Sequence, residues 1–178
     1  EDVRRRIVDF GLQGYFTSIF ELGDKLVATG QISHPDFEED GSRAVVLDPT
    51  SLAIRNSWDW PENGGLDRCL PQDEAIICLE TEGFKDGART LLANHLVRID
   101  LATGKKSELT KFRADGVEMV SSSGRIHVAT RSTMNLMSAD LTKVELELPL
   151  AHGDEAIETL NAGAGFIDVF VRDYNRTM

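Results

Sequence analysis

One hairpin plan recurs along this chain, and that repeat constrains the fold more than any other feature. Ser18-Ile19-Phe20-Glu21-Leu22-Gly23-Asp24-Lys25-Leu26-Val27-Ala28 and Glu118-Met119-Val120-Ser121-Ser122-Ser123-Gly124-Arg125-Ile126-His127-Val128 share it. Each has a short apolar strand, a polar turn holding glycine and a second alternating strand, the signature of a β-hairpin. The plan returns at Arg68–Cys78 and at Glu158–Ile167. Anchored on Phe20, Leu70, Val120 and Leu160, the copies are spaced by 50, 50 and 40 residues.

A second pair of strands follows each of the first three hairpins. Arg43–Asp48 turns through Pro49-Thr50-Ser51 into Leu52–Trp58, and His95–Asp100 passes through Leu101-Ala102-Thr103-Gly104 into Lys105–Leu109. A strand ending in Asp before a Thr- or Gly-rich turn has a physical reason, because the carboxylate accepts the turn's backbone N–H groups. The third copy is looser, Met134–Lys143 and then Val144-Glu145-Leu146-Glu147-Leu148, whose strict alternation predicts an outer, half-exposed strand. No segment sustains a helical period, and Gly and Pro interrupt the chain as all-β proteins require.

Four-stranded repeats of this length with a strand–Asp–x–x–Thr–Gly turn resemble β-propeller blades, in particular those of the bacterial quinoprotein-like class with seven or eight blades. The resemblance implies an all-β fold of four-stranded antiparallel meanders, about three and a half blades of an incomplete ring. Residues 1–14 then form the outer strand of a preceding blade, 15–60, 65–112 and 113–150 three blades, and 152–178 half a blade. Because a closed ring takes about four to eight blades, the expectation is that further chain or a partner subunit completes it.

Composition narrows the partners. Nineteen Lys and Arg against 30 Asp and Glu give a net charge of -11, which repels phosphate backbones and anionic lipid. Nucleic acid is therefore not expected as a partner. Membrane insertion is not expected either, because no apolar run reaches the roughly 18 residues of a spanning helix.

Candidate sites are sparse. The first strand of a blade lines the central channel, and the anchors above make Ser18, Arg68, Glu118 and Glu158 equivalent, with Asp67 in the slot if the second copy slips by one residue. Glu118 and Glu158 are the candidate catalytic carboxylates, able to hold a divalent cation or share a proton, or else solvated strand ends. Asp36-Phe37-Glu38-Glu39-Asp40-Gly41 sets carboxylates at alternating positions before a glycine, half of a calcium-loop pattern, so Asp36, Glu38 and Asp40 are the metal candidates and Ca or another divalent cation the cofactor candidate. An acidic solubilising loop is the competing reading.

Trp58 and Trp60 share a strand face and could stack on a flat ligand such as a sugar, or fill the space between sheets. His34, His95, His127 and His152 are too dispersed for a local metal motif, and His127 suits a structural role within its strand. Cys69 and Cys78 flank one hairpin, so a bridge is conceivable, but two buried thiols are expected unless the protein is exported. The compartment stays open, leaning to an exported or periplasmic one.

Two functions follow. The first is a non-catalytic scaffold presenting its loops and channel mouth to a protein or carbohydrate. The alternative is part of a propeller enzyme, a metal-dependent hydrolase or lyase or a quinoprotein-like oxidoreductase, with its site in the channel.

Overall fold

A computed structural model describes residues 14–32, 41–60, 65–86, 89–112 and 118–174. Fourteen strands, β1 (Gly14–Leu22), β2 (Lys25–Ile32), β3 (Gly41–Leu47), β4 (Ile54–Trp60), β5 (Gly65–Gln72), β6 (Ala75–Asp86), β7 (Arg89–Asp100), β8 (Lys106–Phe112), β9 (Glu118–Ser122), β10 (Arg125–Ala129), β11 (Thr133–Met137), β12 (Val144–Pro149), β13 (Glu155–Gly163) and β14 (Phe166–Asp173), follow in order. They form three four-stranded meanders, β1-β2-β3-β4, β5-β6-β7-β8 and β9-β10-β11-β12, and a hairpin, β13-β14. The fold is all-β with antiparallel four-stranded sheets, as the repeat predicts. Among the described residues no helix is long and apolar enough to cross a membrane. Of the expected outer strand at 1–14, residues 1–13 lie outside the described residues and Gly14 already belongs to β1.

The chain divides into two compact units, Glu1–Gly83 with Arg98–Ser107 and Phe84–Val97 with Glu108–Met178. In the first, burial runs without interruption through Val27–Gly30, Ala44–Leu47 and Ala75–Glu80. Strands buried on both faces read in this way, and the apolar valines, leucines and isoleucines there each contribute about 1.5–3 kcal/mol on leaving water. The first strand of sheet 1 meets that of sheet 2: Thr17 Oγ1 donates to the Leu66 carbonyl, and the Cys69 N–H donates to Ser18 Oγ at 3.0 Å. In the second unit, buried Ile157 and Leu160 of the last hairpin pack with Ala129 and Ala151, and half-buried Val120, Met134, Leu150, Ile167 and Val169 close around them.

The turns between third and fourth strands keep one geometry. Asp48 N–H donates to the Ala53 carbonyl at 2.9 Å, Asp100 N–H to Lys105 at 3.1 Å and Ser138 N–H to Lys143 at 2.9 Å. Asp48 Oδ1 accepts the N–H groups of Thr50 and Ser51 and the Ser51 hydroxyl, while Asp100 Oδ1 accepts those of Ala102 and Thr103 and the Thr103 hydroxyl. The Ser51 N–H and the Arg55 guanidinium hold Asp48 far below the usual carboxylate range, and the Thr103 N–H lowers Asp100. Ser138 departs from the Asp pattern: its hydroxyl donates to Asp140 at 2.6 Å instead. Left-handed backbone appears at Leu52 (φ 57°), Gly104 (φ 70°) and Leu141 (φ 62°). The two leucines accept that conformation, a cost of about 1–2 kcal/mol, while their side chains are buried.

Candidate functional site

The register of the first strands decides which side chains can share an axis. Hairpin ends pair as Leu22–Lys25, Gln72–Ala75, Ser122–Arg125 and Gly163–Phe166. Counting back from these turns, Ser18, Arg68 and Glu118 are equivalent as expected, but their counterpart in the fourth copy is Thr159. Glu158 belongs one residue earlier, with Thr17 and Asp67, and the expected equivalence of Glu118 and Glu158 is therefore corrected. The cause is that the third and fourth turns lie 41 residues apart, one more than the 40 between the apolar anchors Val120 and Leu160.

That earlier position is a β-bulge in three copies, with register shifts between Phe16 and Ser18, Leu66 and Arg68, and Ile157 and Thr159. A bulged residue lacks a cross-strand partner and can turn its side chain back on its own hairpin. The Thr17 hydroxyl, which donates to Leu66, also lies 3.3 Å from the Thr29 carbonyl of its own hairpin, the Thr81 hydroxyl donates to Asp67, and Arg172 Nη1 donates to Glu158 Oε1 at 3.0 Å. Tyr174 Oη donates to the same carboxylate oxygen at 3.4 Å. Glu158 is thus a strand-tying carboxylate beside a cation. Among the described residues no group of three or more His, Cys, Asp or Glu side chains could hold a metal ion. Asp36, Glu38 and Asp40 lie outside the described residues.

Trp58 and Trp60 stand on one face of β4, opposite Ala44 and Ser42 of β3. Trp58 rests on Gly104: a Cβ built there would lie 1.8 Å from Trp58 Cδ1. Lys106 Nζ sits 5.8 Å from the Trp60 ring centroid and is also hydrogen-bonded to the buried Glu80. Both indoles are half-buried, and each has a surface engaged by the next sheet of the same unit.

The contact of Trp58 with Gly104 has a counterpart in the second unit. Trp58 follows the turn-closing Ala53 by five residues, and Thr110 follows the equivalent Lys105 by five. Thr110 Oγ1 donates at 2.6 Å to the carbonyl of Leu141, the left-handed residue of the next turn. In both cases a fourth strand places one side chain on the turn between the third and fourth strands of the following sheet.

Leu148 holds the same position in sheet 3, five residues after Lys143, and pairs with Met134 as Trp58 pairs with Ala44. It is 38% exposed, and Leu146 on the same face is 49% exposed. β12, expected to be half-covered, is exposed along its whole length. The last hairpin adds Phe166, Phe170 and Tyr174 at 55–56% exposure. Phe166 lies over Gly163, where an added Cβ would come within 2.3 Å of the ring. An uncovered apolar surface thus runs along β12, and another along β14. Sequence reading missed them because alternation shows which residues share a face but not whether anything lies on it.

His95 is buried, with Nδ1 2.6 Å from Glu108 Oε2. Among the described residues His127 Nδ1 is buried without a hydrogen-bond partner, and burial, then the Arg125 charge, lowers its pKa from 6.5. Cys69 and Cys78 form a disulfide instead of the two thiols expected. They are directly paired on β5 and β6 with Cα atoms 4.1 Å apart, close to the approach of a non-hydrogen-bonded antiparallel pair, and this brings the two sulfurs within bonding reach. No protein-family model matches the chain, and no curated protein matches it.

Proposed function

We propose that this chain is a segment of a β-propeller that acts as an interaction scaffold, with a protein partner as its ligand. The observation that carries the reading is the repeated docking of a fourth strand on the next sheet's turn, Trp58 on Gly104 and Thr110 on Leu141, together with the exposure of Leu148 at the same position. A protein suits that surface better than a sugar. Its exposed groups are leucines and phenylalanines, whereas the tryptophans that would stack on a sugar already face Gly104 and Lys106. The Cys69–Cys78 bridge supports an oxidising, exported setting.

A photo-crosslinking amino acid at Leu146, introduced in the producing cell, tests the reading. One discrete polypeptide adduct is expected from position 146 and none from the exposed turn residue Asp73. Absence of an adduct, or equal labelling from both positions, would overturn it.

A further inference from the structure

From two orphaned hydroxyls inside the first unit, we infer an internal water-binding site between sheet 1 and β5-β6, in which a single water molecule bridges Thr29 Oγ1 and Ser42 Oγ. Both residues are 0% exposed, and among the described residues neither hydroxyl has a hydrogen-bond partner. A buried hydroxyl left unpaired costs free energy, and a bound water removes that cost. The site stands independently of the scaffold reading above.

The register sets both hydroxyls on one face. Thr29 pairs with Ser18 of β1 and Ala44 of β3, while Ser42 pairs with Gln31 of β2 and Trp60 of β4. Directly paired residues share a face of the sheet, and so do residues two apart along a strand. That face meets the next sheet at three places. The Cys69 N–H donates to Ser18 Oγ at 3.0 Å, a Cβ built on Gly65 would lie 3.2 Å from the Gln31 side chain, and Lys106 Nζ sits 5.8 Å from the Trp60 ring centroid. Thr29 and Ser42 are therefore aimed into the layer between the sheets and away from solvent.

Spacing, room and polarity there suit one water. Thr29 and Ser42 are diagonal neighbours on β2 and β3, and such positions lie about 7–8 Å apart at their Cα atoms, beyond a direct hydroxyl–hydroxyl bond. A water spans the gap with two bonds of about 2.8 Å each. Ala44, opposite Thr29 and two residues from Ser42, fills its position with only a methyl, and Gly65 on the facing strand adds no side chain. Gln31 stands opposite Ser42 and two residues from Thr29, so its amide is the third ligand; a buried water makes about three hydrogen bonds. The layer is polar here, because buried Glu80 is bound to Lys106, whereas cavities that stay dry are apolar. Complete burial of both residues restricts the ligand to water, since anything larger has to part the sheets.

Water-oxygen magnetic relaxation dispersion of the full chain, which counts long-lived internal waters and ignores exchanging hydroxyl protons, tests the inference beside urea unfolding. Thr29→Val with Ser42→Ala should shrink the dispersion step by the equivalent of a single water. Thr29→Ser, which keeps the hydroxyl and loses only the methyl, should retain the step. In urea, Thr29→Val and Ser42→Ala should each lower the unfolding midpoint, and the double variant should lower it by less than the sum, because both changes release the same water. A step that persists in the double variant would overturn the inference, as would one lost equally in Thr29→Ser. So would additive midpoints that stay level or rise, since removing each hydroxyl would then only relieve an unpaired group.

Discussion

At the residue scale, Gly104 concentrates two requirements, left-handed backbone and contact with an indole. Gly104→Ala should cost about 2–4 kcal/mol in urea unfolding, from the left-handed penalty plus overpacking. In a Trp58→Ala background only about 1 kcal/mol should remain, because the clash is gone and the backbone strain is not. Equal costs in both backgrounds would show that the indole does not dock there. The Asp turns add a pH dependence. Asp48 and Asp100 have lowered pKa values in the fold, so below the ordinary value of 3.8 the unfolded chain binds protons that the folded chain refuses. Their stabilisation is present above that pH and is lost as acidity rises toward the folded values. The double variant Asp48→Asn with Asp100→Asn should therefore show a flatter loss of thermal stability below pH 3.8 than the parent. These turns were legible in the sequence because Asp and Gly announce them. Leu52 and Leu141 were not, since their left-handed backbone is sustained by burial that no local pattern encodes.

At the element scale, the hairpins were visible as alternating strands around polar turns, but the register of the fourth was not. The apolar anchor Leu160 stands one residue further from its turn than Phe20, Leu70 and Val120 stand from theirs, and Glu158 moved by one position for that reason. Its pairing with exposed Arg172 predicts a small role: Glu158→Gln should change stability by no more than about 1 kcal/mol and leave metal content by elemental analysis unchanged. The disulfide was half-legible. Spacing made it conceivable, and only the direct pairing of Cys69 with Cys78 decides it. Closing so short a loop, it should contribute about 2–3 kcal/mol. Dithiothreitol should lower the unfolding midpoint of the parent and leave Cys69→Ala with Cys78→Ala unaffected; equal behaviour of the two proteins would show that the thiols are not bridged.

At the scale of the whole molecule, repeats of four strands convey architecture because each sheet must bury both faces of its central strands, and only neighbouring sheets can cover them. The sequence therefore carries the three meanders and the hairpin. It does not carry the docking of β4 and β8 on the next turn, since Trp58 and Thr110, like Leu148 at the same position, differ in type and share only their distance from a turn. Exposed Leu146 and Leu148 mark where that arrangement stops being satisfied within the described residues. The native mass of the assembly isolated from the producing cell, with every polypeptide in it identified, tests the scaffold reading most directly. A stoichiometric complex heavier than 19.7 kDa and containing a second polypeptide is the expected result. A lone 19.7 kDa species that unfolds cooperatively and gains no partner would contradict it.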